Sequence, residues 1–215
     1  MTWFLKTTVQ ALVASALSLA CVAAVATPSD DFFNAVNRGD GRSVGRLVDA
    51  GVDPNLVDGK GQTALILALR DDSPQVVDAL LAQPKLRVDA ANANGETALM
   101  MAALKGRLEA MQALIQRGAP INRTGWSPLH YAASGSEPKA VSLLLDRGAD
   151  IEALSPNRST PLMMASRYGA MDSADLLLAR GASLKARNDA DMTAIDFART
   201  AGRDRLVARM EQLAR

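Results

Sequence analysis

Cysteine, histidine and aromatic residues are scarce in this chain, and the scarcity removes whole classes of function. Among 215 residues there is one Cys and one His, and aromatics make up only 4%. The lone Cys21 allows no disulfide within the chain and no cysteine cluster for a metal. The lone His130 cannot build a histidine-rich metal site. An excess of one charge is missing as well, since 24 Lys and Arg face 23 Asp and Glu. Such a balance exerts no global pull on nucleic acid or on an anionic membrane. Signatures of catalysis are absent too. Gly59-Lys60-Gly61 lacks the spacing of a phosphate-binding loop, and no Gly-x-Ser-x-Gly elbow occurs. Ser127 and Ser159 have no evident His or Asp partner at a fixed geometry. Asp71-Asp72 reads as a solvated turn, because Ca²⁺ takes about six or more oxygens. These absences point to a non-enzymatic protein with no cofactor and no metal.

Long apolar runs are confined to the amino terminus. Met1–Ala26 has the layout of a secretory signal peptide: Lys6 beside the amino terminus, a small and apolar stretch from Thr7 to Ala20, and Ala24-Val25-Ala26 as a cleavage site. A membrane anchor is one alternative, although the run is Ala-rich, short for a span and without a basic flank. A lipoprotein signal ending at Cys21 is another, with Ser18 where a lipobox prefers Leu. Cleavage after Ala26 leaves a cysteine-free mature chain, not inserted in a membrane and placed in the periplasm or outside the cell.

What the chain has in abundance is repetition. Thr63–Ala68, Thr-Ala-Leu-Ile-Leu-Ala, returns as Thr97–Ala102, Ser127–Ala132, Thr160–Ala165 and Thr193–Ala198, at spacings of 34, 30, 33 and 33 residues. A period near 33 marks a repeat array. The hydroxyl residue opening each motif suits a helix N-cap, and Pro128 and Pro161 follow where a first-turn N–H is not needed. In the first unit Asp30 stands at the capping register. Asp72, Gly106, Ser136, Gly169 and Gly202 lie nine residues after the caps, where left-handed geometry is expected. A second helix follows, with Val76, Val77, Leu80 and Leu81 on one face, and Gly51, Gly118, Gly148 and Gly181 end its counterparts. Unit two ends Gln83-Pro84-Lys85-Leu86-Arg87 with no Gly. From Gly118 to Ser127 is three residues shorter than from Gly148 to Thr160, so the loop between units three and four should be stunted.

These motifs resemble the ankyrin repeat. Ser127-Pro128-Leu129-His130-Tyr131-Ala132 is similar to its helix start and Arg147-Gly148-Ala149-Asp150 to its linker. The likeness extends over residues 29–215 in about six units: 29–57, 58–91, 92–122, 123–154, 155–187 and 188–215. It implies an all-α solenoid of helix-turn-helix units joined by hairpin-like loops. The last unit should close the array with Leu206, Val207, Met210, Leu213 and Ala214 turned inward. With the leader, the resemblance is to a bacterial, secreted or periplasmic type. It implies a monomer that binds a protein partner on its concave face and loop tips, and a link to oxidative-stress protection. An exported effector or an accessory subunit of an envelope enzyme is the alternative. In the family, the His of the motif supports bonds between adjacent loops, a role that falls to His130.

Carried over residue by residue, the loop tips are Lys60, Gln62, Asn94, Glu96, Trp126, Asn157 and Met192, and the inner helix ends include Arg38, Arg70, Lys105, Arg167 and Tyr168. Arg38, Arg70, Lys105, Trp126, Arg167 and Tyr168 form the expected partner-binding set. The four cations read either as a basic stripe or as ordinary solvated charge. Trp126 reads as an anchor for a partner or as a plug over the short loop. Met100-Met101 and Met163-Met164 read as an adaptable, oxidant-sensitive surface or as packing between helices.

Overall fold

The computed structural model describes residues 27–215, so the leader and Cys21 lie outside the described residues. Within them the chain forms twelve α-helices in six pairs. The pairs are α1 Pro28–Asn37 with α2 Gly41–Asp49, α3 Ala64–Arg70 with α4 Pro74–Leu81, and α5 Ala98–Leu104 with α6 Leu108–Gln116. They continue as α7 Pro128–Ser134 with α8 Pro138–Asp146, α9 Pro161–Arg167 with α10 Met171–Ala179, and α11 Ala194–Thr200 with α12 Asp204–Leu213. The odd-numbered helices stack in one row and the even-numbered helices in a second. This is the all-α solenoid that the resemblance implies.

Each first-row helix begins where a hydroxyl can accept an orphan amide. Thr63, Thr97, Thr160 and Thr193 accept from Ile66, Met100, Met163 and Asp196 N–H. The first unit departs from expectation. Its cap is Thr27, and Asp30 sits one turn inside the helix, answering Thr27 N–H at 2.9 Å to close a capping box. α1 is therefore ten residues long, whereas the other first-row helices have seven. Pro28, which suits a first helical position, marks this earlier start.

Helix ends follow two designs. Gly51, Gly118, Gly148 and Gly181 terminate their helices at φ of +105°, +88°, +84° and +94°, as expected. At the turns between paired helices, Asp72, Gly106 and Gly202 are left-handed, but Ser136 and Gly169 are not. Gly169 is required for a different reason: a Cβ there would lie 2.0 Å from the Ala133 carbonyl oxygen of the preceding unit. At the end of α7 the Ala170 N–H of the next unit meets Gly135 O at 3.2 Å, and at two other ends an arginine of the next unit supplies the cap. Arg117 donates to the carbonyls of Leu81, Gln83 and Leu86 across the glycine-free end of unit two. Arg203 donates to Ala165 O at 2.7 Å and Ser166 O at 3.1 Å at the end of α9. Leu81, Leu86 and Ser166 carbonyls get their donor from these arginines, while Gln83 O and Ala165 O also accept from Leu86 and Gly169 N–H.

One apolar core runs the length of the array. The first-row helices bury their alanines, with Leu65, Leu99, Leu129 and Leu162, and the second row adds Val44, Leu80, Met111, Leu144, Leu177 and Leu206. Phe32 is fully buried while Phe33 lies half-exposed, edge-on to it at 5.3 Å. In the last helix Leu206 and Met210 are buried, but Leu213 is 58% exposed and Ala214 is also exposed. The closing face is thus shorter than the sequence suggests, ending at Met210.

Four loops form stacked fingers, with Asp58, Asn92, Ser155 and Asn188 N–H bonded to Gln62, Glu96, Ser159 and Met192 carbonyls. The loop before Ser127 has no such pair among the described residues, so the third finger is stunted as predicted. Ala93 N–H joins the first two fingers through Gly61 O at 3.2 Å, and Asp189 N–H joins the last two through Asn157 O at 3.1 Å. The short finger interrupts this stack.

Gly148→Val and Gly181→Val are each expected to lower stability by about 1–3 kcal/mol through backbone strain. No atom stands within 4 Å of a Cβ at either place, so the Cβ itself meets no crowding. Arg117→Ala should cost about 1–3 kcal/mol by orphaning carbonyls, and Arg117→Lys should recover only part, since an ammonium lacks the guanidinium fork. Urea midpoints test both, and wild-type midpoints would refute these assignments.

Candidate functional site

The expected binding residues all lie at the open ends of the first-row helices or beside one start, and all are exposed. Arg38 and Lys105 follow the last residues of α1 and α5, and Arg70 and Arg167 are the last residues of α3 and α9. They do not make an even stripe. Arg70 is paired with Asp71 at 2.8 Å, and α7 ends in Ser134 and Gly135, which carry no charge. Arg38, Lys105 and Arg167 make no ion pair among the described residues. The Arg167 guanidinium lies over the ring of Tyr168, 5.3 Å from its centre, and Tyr168 is 60% exposed.

Trp126 combines the two roles the sequence left open. Its ring meets the His130 ring edge-on at 5.3 Å, and 37% of its surface still faces solvent. It covers His130 and also forms one wall of a groove of about 250 Å³ lined by Leu104, Tyr131, Ser134 and Met164. Those four were not among the expected residues. Leu104 and Ser134 share the register of two that were, Arg70 and Arg167, whereas Tyr131 and Met164 share a register that supplied none of them. The Tyr131 hydroxyl donates to Glu96 Oε1 at 3.0 Å, which pins the ring across the interface between α5 and α7.

Beneath Trp126, Ser127 and His130 form a pair that the sequence reading did not foresee. Ser127 Oγ lies 2.8 Å from His130 Nδ1, and Ser127 N–H donates to the same nitrogen at 3.2 Å. His130 Nε2 lies 2.9 Å from Ser159 O. A carbonyl can only accept, so Nε2 carries the proton and Nδ1 is the acceptor. Ser127 is 1% and His130 0% exposed. No substrate carbonyl can reach the hydroxyl, so the pair is a helix cap tied to the following loop. Met100 and Met163 take the same post in their own units, each sulfur accepting from the capping Thr N–H at 3.4 Å. These two methionines are packing and capping residues, while Met164 is half-exposed and lines the groove. Among the described residues no metal-binding cluster occurs, and no helix is long and apolar enough to cross a membrane.

Comparison with known proteins agrees with the repeat geometry. The family model of ankyrin repeats (3 copies) matches residues 32–124 and 120–188. The chain belongs to the ankyrin-repeat family. It is 34% identical to the mouse B-cell lymphoma 3 protein homolog over 161 residues, 72% of this chain and 36% of that one. It is 30% identical to the chicken nuclear factor NF-kappa-B p105 subunit over 149 residues, 66% of this chain and 15% of that one. A zebrafish relative named as a palmitoyltransferase, ZDHHC13, is 32% identical over 165 residues, 76% of this chain and 21% of that one. The chain thus spans little more than a third of the mouse relative and about a fifth or less of the other two. Ankyrin repeats are protein-interaction modules, and the relatives of this chain are mostly non-enzymatic binding proteins.

Within this ankyrin array, burial holds His130 below its ordinary value of 6.5. The unfolded chain therefore takes up the proton first. Stability from neutral His130 is complete above about pH 6.5 and is lost as pH falls toward the lowered folded value. Asp30, Asp40, Asp71 and Asp196 are lowered from 3.8 by hydrogen bonds, so their losses fall in a separate, more acid range. Wild-type stability should decline as pH falls below about 6.5. His130→Met, which copies Met100 and Met163, should flatten that decline while costing about 1 kcal/mol for the lost bond to Ser159. Urea unfolding at stepped pH measures both, and a slope unchanged in the variant would assign the decline elsewhere.

Proposed function

We propose that this ankyrin-repeat chain is a non-enzymatic binding protein of the bacterial periplasm, holding a protein partner on its first-row face and finger tips. The observation that carries the reading is the exposure of Trp126 and Tyr168, two of the few aromatics, on one face of a stacked core. Aromatic and Arg side chains dominate interface energetics, and Arg167 stands beside Tyr168. A face built on packed helices loses little ordering entropy on binding. Among the described residues the one Ser–His pair is sealed from solvent, which supports a binding role over a hydrolytic one.

The periplasmic part of the reading rests on Met1–Ala26 and its Ala24-Val25-Ala26 site. Cleavage there would make residue 27 the amino terminus. Thr27 N lies 2.9 Å from Asp30 Oδ2, so a new ammonium group would meet a carboxylate already in place. A link to oxidative-stress protection rests on the family resemblance alone.

Intact-mass analysis of the purified protein should show loss of residues 1–26, and a lipid on Cys21 or a retained leader would refute the cleavage. Affinity capture from the envelope fraction, followed by titration of the captured partner, tests the face. Trp126→Ala and Tyr168→Ala should each weaken binding by about 1–4 kcal/mol with helix content unchanged. Asp49→Ala, exposed on α2 of the second row, should leave binding as it was. Binding that depends on Asp49 but on neither aromatic would place the interface on the other face.

A further inference from the structure

The groove beside Trp126 has a shape and a polarity that narrow the partner's chemistry. It exists because unit four is small where its neighbours are large. At the end of α7 stand Ser134 and Gly135, while the same register holds Leu104 and Lys105 in α5 and Arg167 and Tyr168 in α9. Gly135 cannot be larger, since a Cβ there would lie 2.6 Å from the Leu104 carbonyl oxygen. The result is a notch with Leu104, Tyr131 and Met164 as its apolar floor and Trp126 at its finger end. In units two, three and six this depth is closed: Leu67, Met101 and Phe197, aligned with Tyr131 and Met164, are 4%, 7% and 8% exposed.

Charge around the notch is divided. Lys105 directly follows Leu104, and Arg167 lies one helical turn beyond Met164, so cations flank the helix-end side. Neither makes an ion pair among the described residues. At the finger end the nearest carboxylate is Glu96, already engaged by the Tyr131 hydroxyl and by Asn92 Nδ2 at 2.7 Å. Asp71, on the cationic side, is taken by Arg70. Glu137, beside Gly106, turns Oε1 to Lys139 N–H at 3.0 Å, so Lys105 and Arg167 are left without an ion pair to any of the three carboxylates.

We infer that the groove takes an acidic peptide segment of a protein partner, seating one bulky apolar side chain beside Trp126 with carboxylates toward Lys105 and Arg167. The inference rests on the first-row face being the binding face and adds the chemistry of what binds there. The apolar floor supplies the burial that holds the anchor. The unpaired cations supply the selection, since like charge at the same place would be repelled.

Trp126 is a built-in reporter, because Trp3→Phe leaves it the only Trp in the full chain. The probe is an N-acetylated nine-residue peptide with a central Phe between pairs of Asp. Two controls replace the Asp residues by Lys or the Phe by Ser. The Asp–Phe peptide should shift Trp126 emission and bind about tenfold or more tightly than either control, weakening as salt rises. Lys105→Glu and Arg167→Glu, both at exposed positions, should each reduce its affinity about fivefold or more and invert the preference toward the Lys peptide. Equal affinity for the acidic and basic peptides, no binding by the acidic peptide, or affinity untouched by both charge reversals would overturn the inference. If the captured partner still depends on Trp126 in those cases, only the acidic chemistry is wrong. If it does not, the first-row face itself is wrong.

Discussion

A helix pair of seven and nine residues cannot hide its apolar face or satisfy its own backbone ends, so each repeat of this chain is completed by the next. The apolar part of that dependence is the continuous core. The polar part is a set of bonds that cross from one unit to its neighbour. Arg117 reaches back to Leu81, Gln83 and Leu86, Arg203 to Ala165 and Ser166, and His130 forward to Ser159. A buried carbonyl without a donor costs about 1–3 kcal/mol, so these crossings matter as much as any single apolar contact. Stability in such an array is a sum of unit and interface terms, and the interface terms hold the units in order.

The parts of this design that were legible in the sequence are those with local causes. A capping hydroxyl acts on an amide three residues away, and a left-handed glycine acts within one turn, so Thr63 or Gly148 can be read from their neighbours alone. The stunted third finger was legible as a count of residues. What escaped was the non-local chemistry. Nothing near Arg117 or Arg203 says that their guanidinium groups cap the end of another unit. Gly169 was read as a left-handed turn because glycine usually signals one, whereas it answers the approach of Ala133 from the preceding unit. Asp30 was assigned as a cap from its register in the repeat, and the true start is set by Thr27 and Pro28 one turn earlier.

The candidate site divides along the same line. Residues at helix ends could be carried over from the repeat pattern, and the structure places them on one exposed edge. The groove could not be, because it arises from what unit four lacks. Ser134 and Gly135 are small, the loop before Ser127 is short, and together they expose Tyr131 and Met164 at a depth that Leu67, Met101 and Phe197 close elsewhere. A deviation from the repeat thus makes a distinct place on an otherwise regular surface. Binding chemistry on a solenoid is set by such deviations, since the regular positions are committed to packing.

The dependence of each unit on the next is tested most directly by removing the last one. A chain ending at Arg187 loses Arg203 from the end of α9, and with it Ala194, Ala198, Leu206 and Met210 from the core. Compared with the whole chain in urea, followed by circular dichroism, it should unfold at a lower midpoint. Its slope should also be smaller, because less surface is exposed on unfolding. A midpoint equal to that of the whole chain would show that unit five stands without its neighbour, and would contradict the account.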